Sequence, residues 1–500
     1  MLKYDYASRL PASFSGLSKG QKQRRQHEII IGQPQGRKKK LKDKSAADSQ
    51  AYYDKMVNTP VSKLIITLGI PTMISMLVTG IYNMADTYFV GTLGESQQAA
   101  TGILFTLQAI IQAIGFMLGQ GSGTMVSKYL AQKDTPAASR YVSTAFFTSA
   151  ISGTILALTG LILLDPFMRL LGSTETILPY ARQYGMWVLL SCPFVMCSFV
   201  LNNNLRYEGM SFYSMIGLVS GALINIFGDY LLVRVIPLGV FGAGLATTVS
   251  QLISFALLMY FFTRRAQSVI GIKHISKDPR EYLEICRIGF PALIRQGLSS
   301  ISGGLLNNLT KPFGDAAIAA MSVVNRFSAL VMCVGLGIGQ GFQPVAAFNY
   351  SAGQYKRVKK GLVFTMVFGL VLIFVLSCFG CIFAPDIVRL MQKSPEVIEI
   401  GTDALRYAAV GVIFLAISVP VNMLYQSTRQ VLLSSVLSLL RAGVAFIPTL
   451  IITTHFWGLT GIQISQPLAD IITGLISIPF VISFLVRRDV KKVRTAKKRN

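Results

Sequence analysis

Apolar residues along the chain gather into blocks of about 20 or more, long enough to cross the hydrocarbon core of a bilayer as helices. Twelve such spans are predicted, near 64–90, 98–125, 141–164, 177–203, 212–233, 240–262, 288–309, 316–346, 361–383, 400–424, 432–454 and 460–485. An even number of crossings puts both termini on one side. The polar breaks after spans 2, 6 and 8 are basic. They carry Lys128, Lys133 and Arg140, then Arg264, Arg265, Lys273, Lys277, Arg280 and Arg287, then Lys356, Arg357, Lys359 and Lys360. The breaks on the opposite side are short and poor in Lys and Arg, and three contain Pro166, Pro237 and Pro312. Basic loops mark the cytoplasmic face, so both termini are expected there.

The apolar pattern also repeats. "GIPTM" at 69 recurs as "GFPAL" at 289, "TLGES" at 92 as "PFGDA" at 312, and "LGQGSG" at 118 as "IGQGFQ" at 338. All three pairs share one and the same offset along the chain. Each repeat holds six spans, so both enter the membrane in the same orientation. The expected fold is an all-α integral membrane protein with twelve transmembrane helices in two six-helix lobes related by a parallel internal repeat. The expected divisions are a basic tail over 1–60, an N-lobe over 61–263, a cytoplasmic linker over 264–287, a C-lobe over 288–486 and a second basic tail over 487–500. Two similar bundles that rock about a central cavity are a plan for alternating access. The chain lacks a G-x-x-x-x-G-K-[ST] phosphate loop, so an ion gradient or the substrate's own gradient is expected to supply the energy.

Composition agrees with a membrane protein. Charged residues make up 14% of the 500 residues, hydrophobic residues 52%, and mean hydropathy is +0.53; soluble domains carry about 25% charged residues. The net charge of +25 would suit a nucleic-acid binder, but its placement does not. Twelve Lys and Arg lie within 1–44 and eight within 487–500, where they flank apolar spans and meet anionic lipid. No aromatic-interleaved binding surface accompanies them. The segment 1–60 holds no apolar leader and reads as a polar, disordered cytoplasmic tail. Six Cys lie in or beside apolar spans, and "CFGC" at 378–381 reads as small residues packing between helices rather than a redox pair. Three scattered His form no metal motif.

The candidate chemistry lies in polar residues at membrane depth, which are costly and therefore functional candidates. "NMADTYFVG" places Asp86 in the outer half of span 1, unless it merely reaches the outer interface. "ALINIFGDYLLV" places Asn225 and Asp229 one helical turn apart in the outer half of span 5, with Arg234 nearby as a potential snorkelling counter-ion. Span 6 returns inward and brings Thr247 to the same depth. Two neighbouring carboxylates in low dielectric cannot both stay ionised, so the set can hold a proton. With the Asn and Thr oxygens it can equally hold a hard cation such as Na⁺. The C-lobe has Leu306 where the offset would repeat Asp86, and it carries Arg441 and Asp470 instead, expected to form an internal ion pair, with contact to substrate as the second reading. Arg295 and Arg326 read as snorkelling residues or bundle contacts.

The stretches "IYNMADTYFVGTLG", "LINIFGDYLLV", "GAGLATTVSQ" and "GIGQGFQPVAAFNYSAGQYKRVKKG" resemble the MATE (multidrug and toxic compound extrusion) family, closest to its bacterial DinF-like and MepA-like members, over about residues 60–485. The resemblance implies a twelve-helix secondary antiporter of the cell membrane that exports organic, often cationic, compounds in exchange for H⁺ or Na⁺. It assigns Asp86, Asn225, Asp229 and Thr247 to a cation site, Tyr82 and Asn202 to the same polar network or the substrate cavity, and Pro71 to a bend in helix 1. A proline inside a span is also a kink site on physical grounds. One departure concerns helix 7: "GFPALIRQGLSS" lacks the acid that other branches carry there, so coupling is expected to rest on the N-lobe. The expected partners are small organic substrates and membrane lipids, with no nucleic acid and no prosthetic cofactor, and the protein is expected to be a monomer. An enzyme is not expected, because no nucleophile–base constellation appears. The alternative within the same superfamily is a flippase of lipid-linked oligosaccharide or polysaccharide, which would need a cavity dominated by cations.

Overall fold

The computed structural model describes residues 49–392 and 394–486; of the two expected tails, 1–48 and 487–500 fall outside the described residues, whereas 49–58, expected to be disordered, are helical. Ahead of Lys55 only 49–54 are described, and they are helical. Residues from Lys55 onward form one compact unit. Its helices are α1 (Val61–Gly91), α2 (Glu95–Ala131), α3 (Thr135–Ile162), α4 (Leu164–Leu170), α5 (Leu178–Tyr207), α6 (Ser211–Asp229), α7 (Gly239–Arg265), α8 (Pro279–Thr310), α9 (Asp315–Ser351), α10 (Tyr355–Ile382), α11 (Ala384–Met391), α12 (Pro395–Gly411), α13 (Leu415–Ser427), α14 (Val431–Leu439) and α15 (Phe446–Val486).

The predicted spans map onto these helices in order. Spans 1–3 are α1–α3 and span 4 is α5. Span 5 is α6, extended by a π-helical turn over Tyr230–Val235, and span 6 is α7. Spans 7–9 are α8–α10. Span 10 is α12 and α13, joined through a 3₁₀ turn at Val412–Phe414. Spans 11 and 12 run as α14, a π-helical turn over Leu440–Ala445, and α15. α15 contains a break at Gly458, whose φ of 53° and ψ of −125° no helix adopts; span 11 ends there and span 12 begins.

Among the described residues ten helical stretches are long and apolar enough to cross a membrane by composition alone, with spans 11 and 12 counted as one. α8 falls short of that measure because Arg295 and Gln296 interrupt its apolar run. It also begins at Pro279, inside the segment expected to be linker, where Asp278 caps it by accepting from the Arg280 amide at 2.9 Å. The connection between α7 and α8 is therefore residues 266–278.

Each lobe has its own apolar core. Leu104, Leu107, Val188 and Leu189 anchor the first, and Val323, Ala404, Leu405 and Ile462 the second. Leu306, the repeat counterpart of Asp86, is part of the second core. The outer surface carries bare large apolar side chains such as Ile155, Ile162, Phe374 and Leu432, as lipid contact requires.

The lobes meet where α1 packs on α9 and α2 packs on α8. Both contacts are backbone-tight. A Cβ on Gly341 would lie 2.3 Å from the Gly69 Cα, and one on Gly337 2.4 Å from the Met73 Cα. Across the other pair, a Cβ on Gly289 would lie 1.8 Å from the Met117 carbonyl oxygen, and one on Gly121 2.1 Å from that of Ile285. Gly69 and Gly289 are equivalent positions of the repeat, and so are Gly121 and Gly341. The repeated "GIP/GFP" and "GQG" motifs are thus the two halves of a pseudo-symmetric seam between the lobes.

Candidate functional site

Five helices of the first lobe surround a cavity. Its wall mixes apolar groups such as Met76, Ile111, Phe116 and Phe199 with Gln108, Gln112, Ser198 and Gln251, and contains neither Lys nor Arg. Tyr82, Asn202, Asn225 and Thr247 line it. Asp86 and Asp229 lie behind that wall.

The four residues expected to form a cation site come together. Asp86 stands on α1, Asn225 and Asp229 on α6 and Thr247 on α7, and all four are buried. The Asn225 side-chain amide donates to the Thr247 hydroxyl at 3.2 Å. The Tyr184 hydroxyl, from α5, donates to Asp86 Oδ2 at 2.9 Å and sits 3.3 Å from the Thr247 hydroxyl. The two carboxylates are within Coulombic range of each other. Four oxygens in this cluster have no hydrogen-bond partner among the described residues: Asp86 Oδ1, Asn225 Oδ1 and both oxygens of Asp229. All are acceptors. Buried acceptors are nearly always satisfied, and a set composed only of acceptors calls for donated hydrogens or positive charge: water, a proton or a cation. The donor set therefore fits H⁺ or Na⁺.

Arg234 is not the counter-ion of Asp229. It is exposed, whereas Asp229 is fully buried with both oxygens unpartnered among the described residues. The π-helical turn that begins at Tyr230 separates them: its wider turn carries Arg234 away from the face that Asp229 presents.

The remaining candidates divide. The Tyr82 hydroxyl lies within reach of Gln251, Asp86 and Asp229, between the cavity and the acids. Asn202 lines the cavity but bonds to the Ser214 hydroxyl at 2.5 Å and does not touch the acids. Pro71 lies inside α1, which continues through it; Thr72 and Ser75 return their hydroxyls to the Leu68 and Pro71 carbonyls at 2.8 and 2.9 Å. Pro71 thus sits in the Gly69–Met73 segment that forms the seam with α9. In the second lobe Arg441 Nε bonds Asp470 Oδ1 at 3.0 Å, as the sequence suggested. Arg295 is a bundle contact, donating to Asn422 Oδ1 at 3.2 Å and to Gln120 Oε1 of the other lobe at 3.5 Å.

Sequence reasoning passed over Tyr184 and Gln251. Gln251 could have been found one turn after Thr247 on the same helix face. Tyr184 offered no comparable signal, because its partners lie 98 and 63 residues away.

A polar, acid-bearing site set behind the wall of one lobe in a two-lobe helical bundle defines a multi-pass membrane protein of the transporter class. The chain belongs to the MatE family, whose profile matches residues 71–231 and again 291–451, once per lobe and in the register of the internal repeat. It is 26% identical over 450 residues to multidrug export protein MepA of Staphylococcus saprophyticus, covering 88% of this chain and 97% of that one. It is 28% identical over 446 residues to MepA of Staphylococcus aureus, covering 88% and 97%. Among solved structures, MATE in the straight conformation superposes with a TM-score of 0.81 at 22% identity, covering 89% of this chain and 98% of that one. The outward-facing conformation of a multidrug resistance MATE family transporter of the MOP superfamily gives the same figures. These likenesses show the twelve-helix, two-lobe fold.

Proposed function

We propose that this protein exports organic, often cationic, compounds across the cell membrane in exchange for H⁺ or Na⁺. The observation that carries the reading is the cluster of four unpartnered acceptor oxygens on Asp86, Asn225 and Asp229 behind the first-lobe cavity. A cation entering that cluster neutralises the acids; its release re-exposes negative charge next to a cavity of mixed apolar and amide character, which suits an amphipathic cation. Tyr82, which lines the cavity beside Gln251 and interacts with both acids, is the natural relay. The MepA relatives, named multidrug export proteins, support a broad substrate range.

Transport then proceeds by alternating access, with both termini and the connection over 266–278 on the cytoplasmic side. In that orientation the glycine seam closes the cytoplasmic end. The divisions into lobes, linker and tails, and the monomeric state, belong to the same proposal. The first-lobe cavity, lined without Lys or Arg, suits cations better than a polyanionic lipid-linked sugar.

Ethidium efflux from cells carrying Asp86→Asn or Asp229→Asn tests the site. Each variant is expected to reach the membrane at parental levels and to lose coupled export; parental efflux rates in both would remove the acids from the mechanism.

A further inference from the structure

The second lobe holds its own, smaller cavity, and its chemistry is opposite in sign. Arg295 of α8 and Arg441 of the π-helical turn both line it, with Ser418, Asn422, Ser438 and Met423. The two guanidiniums are within Coulombic reach of each other, and buried Arg206 is within reach of Arg295. Among the described residues one carboxylate, Asp470, serves the pair; it accepts from the Nε of Arg441 and from Gln466, and not from Arg295.

Arg295 has no carboxylate among the described residues. Its bonds go to the neutral amide oxygens of Asn422 and Gln120. Asn422 is held in place for this, because its amide nitrogen donates to the Ser434 carbonyl and the Ser438 hydroxyl, each at 2.8 Å. A guanidinium carries five N–H donors, so most of those on Arg295 and the terminal nitrogens of Arg441 are uncommitted. The Ser418 hydroxyl also lines the cavity, 5% exposed and without a partner among the described residues. A cation without a counter-charge at this depth is costly, and the uncommitted donors all belong to the wall of one cavity.

We propose that the second-lobe cavity binds the carboxylate of a monoanionic organic molecule, gripped by Arg295 and Arg441, with the apolar wall around Met423 holding its body. Among the groups that line the cavity, Asp470 leaves the Arg295–Arg441 pair one positive charge, which a carboxylate matches; Arg206 does not line it and bonds Gln340 and Asn203 instead. The planar fork of arginine fits a carboxylate by paired hydrogen bonds. Such a site would let the protein accept anionic or zwitterionic compounds. It does not rest on the export reading.

Calorimetric titration of the purified full-length protein with 2-naphthoate, octanoate and methyl 2-naphthoate tests it. Either acid is expected to bind and the neutral ester is not; binding of naphthoate alone points to soluble aromatic acids, and of octanoate alone to lipid-derived ones. Arg295→Gln is expected to weaken acid binding about tenfold or more, the worth of one charged hydrogen bond, with the Arg441–Asp470 pair left in place. Arg295→Lys, which keeps the charge and loses the fork, is expected to fall between. Equal binding of acid and ester, no binding of either acid, or undiminished binding in Arg295→Gln would overturn the proposal. The titration needs neither gradient nor export, so its failure leaves the efflux reading standing, and failed efflux leaves this site standing.

Discussion

At the scale of single residues, the main contrast is between buried acids that have partners and those that lack them. Asp470 has Arg441 and Gln466, at 3.0 and 3.1 Å. Asp229 has none among the described residues. Outside the spans, Glu208 follows α5 and is buried; it accepts from the Gln267 amide at 2.5 Å, the Ser268 amide at 3.3 Å and the Ser268 hydroxyl, and so fastens the connection over 266–278 to the end of α5. Burial pushes its carboxyl above the usual range, and the bonds from Ser268 and Gln267 oppose that without cancelling it. The folded protein therefore holds this proton more tightly than the unfolded chain does. Stability from this group is full below the ordinary carboxylate range and falls as pH rises toward the elevated value. Thermal midpoints measured from about pH 4 to about pH 7 should fall less with pH in Glu208→Gln than in the parent; parallel profiles would contradict the assignment. Of these residues the sequence disclosed Asp86, Asn225, Asp229 and Thr247 because charge or amide at apolar depth stands out. It did not disclose that Asp86 shares a hydroxyl with Tyr184, since that depends on how α5 faces α1.

At the scale of elements, the informative segments are those where the helix departs from ideal. The fifth and eleventh spans, equivalent in the two lobes, each carry a π-helical turn, one directly after Asp229 and one containing Arg441. Such turns commonly mark functional sites. Here they re-aim charged side chains, which is why Arg234 misses Asp229. The glycine seam is the second such feature. At Gly289 a methyl group would meet the Met117 carbonyl at 1.8 Å, and α2 and α8 cannot both keep their positions. Gly289→Ala should cost about 1–3 kcal/mol, as overpacking does, and lower the thermal midpoint. Gly304→Ala, on the same helix with nothing within 4 Å, should leave the midpoint level or slightly raised. Equal midpoints for the two variants would mean the seam yields easily. The sequence exposed these glycines as a repeat; it did not expose that each motif packs against the other repeat's partner.

At the scale of the whole molecule, two lobes of one fold carry different chemistry: acids behind a neutral cavity in the first, guanidiniums lining a cavity in the second. In the function we propose, ion coupling rests on the first. In proteoliposomes, adding an organic cation should release H⁺ or Na⁺ when that ion alone is varied across the membrane, and Asp229→Asn should abolish the release; release unaffected by the variant would place coupling elsewhere. The sequence by itself determined the number and order of the spans, the two-lobe plan and the membrane class, because apolar length and a repeat at fixed offset are linear properties of a chain. It also determined which residues were too polar for their depth. Only the tertiary structure decided which of those residues meet. The partners of Asp86, the approach of Asp229 to Asp86, the shared cavity of Arg295 and Arg441 and the seam from Gly69 to Gly341 all join positions far apart in the chain. Such contacts are fixed by how helices rotate and pack against one another, and periodicity along a single helix carries no record of its neighbour's rotation.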